Sequence, residues 1–81
     1  MFISSREKVG PWRVTKIVDA DGDVIPAVFA ANTEERWYEQ YVTTETGKLA
    51  VVGGGLLTRR VENATFKLIN KNSGKVFAEA K

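Results

Sequence analysis

The chain has 81 residues, 43% hydrophobic, 10% aromatic and 27% charged, with a net charge of +2. That composition suits one globular domain with a single core. The absence of both cysteine and histidine excludes disulfides, iron–sulfur clusters, thiol catalysis, tetrahedral zinc sites and every nucleophile system that needs an imidazole.

Residues 1–8 contain no apolar stretch of signal-peptide length and are expected to be a flexible segment ahead of one β domain over 9–81. No apolar run approaches the ~18 residues that span a bilayer, so no membrane partner and a cytoplasmic location are expected. Trp12-Arg13-Val14-Thr15-Lys16-Ile17-Val18 is rich in β-branched residues and reads as a strand with Trp12, Val14 and Val18 on one face. Asp19-Ala20-Asp21-Gly22-Asp23 follows as a turn, since Gly supplies the positive φ of a tight hairpin. Val24 to Ala31 is apolar on both faces and predicts a buried strand, with Pro26 near its start or at a bulge.

Residues 34–44 fit two templates. Thr33 could cap a helix carrying Trp37, Tyr38, Tyr41 and Val42, but these residue types are β-formers, and a strand over 36–44 is preferred. Glu45-Thr46-Gly47-Lys48 reads as a turn, Leu49 to Val52 as a short strand, and Gly53-Gly54-Gly55 as a bulge or wide turn. Two more strands are expected over 56–62 and 64–70, a turn at Lys71-Asn72-Ser73-Gly74, and a last strand over 75–80. The expected fold is all-β: a small antiparallel barrel or two-layer sandwich of about six short strands in sequential hairpins.

Charge is unevenly placed. Residues 1–18 carry +3, residues 19–45 carry −6 and residues 46–81 carry +5. Opposite-sign strands can pair across a small sheet, or a basic face can meet an anionic partner.

Each candidate site pattern carries its own residue requirements. The Asp19–Asp23 cluster resembles a calcium loop, but Val24 and Ala30 stand where the glycine and glutamate of that loop belong. The triple glycine lacks the Gly-Lys-[Ser/Thr] continuation of a phosphate loop. Glu34, Glu35 and Glu39 could pair for acid/base work only across a cleft, which a chain this short has little room for. No cofactor and no metal are therefore expected, and no enzymatic activity. Asn63-Ala64-Thr65 matches a glycosylation triplet and reads as strand or turn sequence. Trp37, Tyr38, Tyr41, Arg59 and Arg60 are the best protein-contact residues, because aromatic and Arg side chains dominate interfaces. Arg59, Arg60, Lys67, Lys71 and Lys75 form the best anion-facing group for nucleic acid.

Asp21-Gly22-Asp23-Val24-Ile25-Pro26, Trp37-Tyr38-Glu39-Gln40-Tyr41-Val42-Thr43 and Leu57-Thr58-Arg59-Arg60 give a pattern that resembles the small single-domain β proteins of phage and prophage genomes. The resemblance transfers no residue role. It implies a phage-encoded accessory protein, located in the host cytoplasm or the virion, that binds a host factor as an inhibitor or serves as a small virion component. The expected function is a non-enzymatic protein-interaction module acting through a rigid β surface, with self-association through a strand edge also open. The alternative is a nucleic-acid-binding small barrel using the basic group.

Overall fold

A computed structural model describes residues 1–81. It is all-β, with nine short strands in three antiparallel sheets and no α-helix. Strands β1 (Phe2–Ser4), β3 (Val28–Asn32), β4 (Trp37–Tyr41) and β7 (Thr58–Val61) form a four-stranded sheet in the order β1-β3-β4-β7. Strands β2 (Thr15–Asp19), β8 (Phe66–Asn70) and β9 (Val76–Ala80) form a three-stranded sheet in the order β2-β8-β9. Strands β5 (Val51–Val52) and β6 (Gly55–Leu56) make a separate hairpin.

Residues of alternating direction on the two larger sheets meet in one core. Ile3, Ala31 and Tyr38 are cross-strand neighbours on one face of the four-stranded sheet. They pack on Ile17, Leu68 and Ala78, neighbours in the other sheet, together with Phe66 and Ala80. Phe66 and Leu68 have no exposed surface, and Phe66 meets the Tyr38 ring edge-on at 5.6 Å. Tyr38 is thus half-buried at the rim of the core, where its ring joins the two layers.

The two layers are linked by a corner in the chain. Val24 bridges Val18, and the Ile25 amide donates to the Ile17 carbonyl, so this stretch begins against the three-stranded sheet. Ala27 then takes a positive φ of 58°, and Val28 opens β3 in the other sheet. The run 24–31, expected as one buried strand, is apolar on both sides because it changes sheets. Pro26 sits at the corner, outside any ladder, as its missing N–H requires.

Several expectations need correction. Residues 1–8, expected to be flexible, supply β1: Ile3 is buried, and its neighbours pair with β3. The apolar Phe2-Ile3 pair drives this, since each side chain finds an apolar cluster on its own side of the sheet. Trp12–Val14 form a 3-10 turn rather than the start of a strand, and the Thr15 hydroxyl closes it onto the Pro11 carbonyl at 2.6 Å. The buried residues of β2 are Ile17 and Val18, not the Trp12–Val14–Val18 face. Only β3–β4, β5–β6 and β8–β9 pair as sequential hairpins, whereas β1–β3, β2–β8 and β4–β7 pair across longer stretches of chain. The ambiguous stretch 34–44 contains β4, with Thr33 to Arg36 as the hairpin loop.

Candidate functional site

The four-stranded sheet has a second, outward face that no other sheet covers. A bulge between Val28 and Ala30 turns both Phe29 and Ala30 toward it. There they join Trp37, with Phe2 and Tyr41 packed alongside. Phe2 lies 5.9 Å from Trp37, and Phe29 lies 4.7 Å from Tyr41, ring centre to ring centre. Two guanidinium groups close this cluster. Arg6 stands 4.1 Å over the Phe29 ring and donates from Nε to the Tyr41 hydroxyl at 3.1 Å. Arg60 stands 4.0 Å over the Trp37 ring and also pairs with Glu62 at 3.3 Å. The planar cation covers the negative ring face while its edge stays in water.

The inward face opens into a cleft of about 590 Å³ between β4, β7 and the corner segment. Tyr38, Gln40, Arg59 and Val61 form one wall, with Asp19, Val24, Ile25 and Pro26 opposite. Gln40 is buried, and both ends of its amide are used. Its Nε2 donates to the Pro26 carbonyl at 2.9 Å, and its Oε1 accepts from Arg59 Nε at 2.6 Å. The only side-chain ion pair on β7 or just after it is Arg60–Glu62, so Arg59 faces the cleft without a carboxylate partner. Asp19 directs Oδ1 to the backbone N–H groups of Asp21 and Asp23, which closes its own turn. That turn explains the acidic cluster without a metal, and no three Asp or Glu side chains gather closely enough to hold one.

Between these faces the β5–β6 hairpin projects from the end of β4 and β7. The Ala50 and Leu57 backbone groups bond to Val42, and Thr43 bridges Leu49, which roots the hairpin in the sheet. Beyond that root, Val51 and Val52 are 65% and 62% exposed, and Leu49, Leu56 and Leu57 are also exposed. No residue from Leu49 to Leu57 is charged. Gly53 and Gly54 close the tip, with φ of 58° and 81°.

The residues singled out from sequence therefore divide among separate places. Trp37, Tyr41 and Arg60 come together on the outward face, with Trp37 buried under the arginine. Tyr38 and Arg59 line the cleft. Lys67 lies on the other sheet, opposite Val18 and Glu79. Lys71 and Lys75 lie in the β8–β9 turn, beyond the end of β8 farthest from the cleft. Arg59 and Arg60 are successive residues of one strand, so they point to opposite faces and cannot share a ligand surface. Three participants were missed by sequence reasoning: Arg6, Gln40 and the exposed hairpin 49–57. The hairpin carried a signal, nine uncharged residues in a chain where more than a quarter are charged.

No protein-family model, curated protein or solved structure matches the chain.

Proposed function

We propose that the chain is a non-enzymatic protein-interaction module that works through the β4–β7 end of the fold. The observation behind this reading is the β5–β6 hairpin. Val51, Val52, Leu56 and Leu57 leave large apolar side chains in solvent on an element too short to bury them itself. Contiguous exposed apolar surface on a small domain marks a place where another macromolecule binds. Tyr41, half-buried at the root of the hairpin opposite Thr58, supplies an aromatic of the kind that anchors interfaces. The setting inferred from the resemblance is a phage-encoded accessory protein, acting on a host factor or within a virion.

Nucleic-acid binding draws less support from the geometry. Its five basic residues are spread over separate faces, and Trp37 is covered rather than open for base stacking. Catalysis draws less still. Glu34, Glu35 and Glu39 do not line the larger cleft, and Glu35 accepts a hydrogen bond from the Trp37 indole.

The test is affinity capture from bacterial lysate after nuclease treatment, comparing the native chain with a Val52→Lys, Leu56→Lys double variant. A stoichiometric protein retained by the native chain and lost by the variant supports the module. Capture that disappears with nuclease moves the reading to nucleic acid.

A further inference from the structure

A buried glutamine that bonds a carbonyl at one end of its amide and an arginine at the other is an unusual use of core space. Gln40 stands on the inward face of β4, where its neighbours Tyr38 and Val28 are apolar and part of the core packing. Burying an amide there is tolerated only because both ends are bonded. Its effect is to hold Arg59 by Nε at the mouth of the cleft. The two terminal nitrogens of that guanidinium make no hydrogen bond within the chain and are left as a fork of donors. The surrounding wall of Val24, Ile25, Pro26 and Val61 is apolar. Arg59 also lies on an edge strand: β7 ends the order β1-β3-β4-β7, so half of its backbone groups face outward.

We propose that the cleft receives an extended segment of a partner protein that carries a carboxylate with an apolar side chain two residues away, on the same face of the strand. The segment adds to the free edge of β7 as a further strand. Its carboxylate takes the open fork of Arg59, and a side chain two residues away enters the apolar cleft beside Val61. Charge complementarity selects an acidic segment. Arg59 is the one cation lining the cleft, and the one carboxylate there, Asp19, is engaged with its own turn, which leaves the fork of Arg59 unneutralised. Main-chain pairing supplies affinity in such additions, and the charged fork supplies selectivity. This inference rests on the reading of the chain as an interaction module and names the chemistry of one partner segment.

The test is a titration of the isotope-labelled full chain with two synthetic peptides, acetyl-Val-Thr-Glu-Thr-Val-amide and its Gln counterpart, followed by amide and side-chain N–H resonances. The expected result is a saturable shift of the β7 amides, the Arg59 Nε–H and the Gln40 amide group. Binding of the Glu peptide is expected to be tighter than that of the Gln peptide by roughly tenfold or more. Arg59→Gln, an exposed substitution, is expected to equalise the two peptides. Equal affinity for both peptides in the native chain, shifts confined to other strands, or no shift with the Glu peptide at roughly 5 mM would overturn the proposal. If Arg59→Gln perturbs the fold, the comparison of the two peptides on the native chain still decides it. Loss of peptide binding alongside intact hairpin-dependent capture would remove this inference alone and leave the module standing.

Discussion

The Arg60 guanidinium lies 4.0 Å from the centre of the Trp37 ring, its diagonal neighbour on the outward face of the four-stranded sheet. This contact, with Arg6 over Phe29, is how a two-sided sheet with only one covered face keeps a second apolar cluster dry. Arg60→Ala is expected to lower unfolding stability by about 0.5–1.5 kcal/mol, from the lost cation–π attraction and the lost cover of the aliphatic stem. The urea midpoint should fall with an unchanged slope. In a Trp12→Phe background, the emission of Trp37 should shift to the red. An unchanged midpoint and unchanged emission would mean that the arginine is a bystander.

The inward core depends far more on single side chains. Phe66 touches Tyr38 across the layers and is fully buried, as is Leu68 two residues on. A domain of this size holds on the order of 4–12 kcal/mol of stability. Phe66→Ala, at about 3–5 kcal/mol, is expected to remove most or all of it. Leu68→Val, at about 1 kcal/mol, should leave a folded chain with a lower melting temperature. Circular dichroism melts of the two variants distinguish these outcomes. Equal small losses would place the core elsewhere.

Residue type made the local elements legible, and long-range pairing hid the rest. The β-formers of 36–44 indicated β4 against the helical spacing, and Asp-Gly, Gly47 and Ser73-Gly74 marked turns that the chain makes. Nothing local says that β1 pairs with β3, or that β4 pairs with β7 across a projecting hairpin. Those choices are made by apolar faces meeting in three dimensions. The corner at Ala27 hid the sheet change, because a strand that swaps layers has the same apolar run as a strand buried on both faces. The cleft was illegible for a related reason. Gln40 reads as an ordinary polar position on a strand until Pro26 and Arg59 are brought to either end of its amide.

The hairpin tip makes a separate demand. Gly53 and Gly54 both take positive φ, as the two central positions of a type I′ turn require. Gly53→Asn keeps that geometry and is expected to be nearly neutral. Gly54→Ala is expected to cost about 1 kcal/mol locally, since a Cβ disfavours the left-handed region. The tip is exposed and contributes nothing to either buried cluster, so the cost should appear as faster amide exchange over 51–56 with little change in global melting. A fall in the melting temperature as large as that of Leu68→Val would show that the hairpin is part of the cooperative unit.

Ala27 offers the sharpest test of how the two sheets are joined. Its φ of 58° belongs to a non-glycine residue directly after Pro26, and its carbonyl accepts the Tyr41 amide at 3.0 Å, which docks the corner on β4. Ala27→Gly relieves a left-handed strain of about 1 kcal/mol, but it adds backbone freedom to the unfolded chain worth about 0.5–1 kcal/mol. The two effects oppose, and a net change within about 0.5 kcal/mol is expected. Ala27→Val has no such compensation. A β-branched side chain in this region is a steric outlier, and a loss of about 1–3 kcal/mol is expected. The same corner carries the Pro26 carbonyl that holds Gln40, so Ala27→Val should also broaden the Gln40 side-chain and Arg59 Nε–H resonances. Urea unfolding read beside those resonances tests both claims. A destabilised variant with Gln40 and Arg59 unmoved would separate the corner from the cleft.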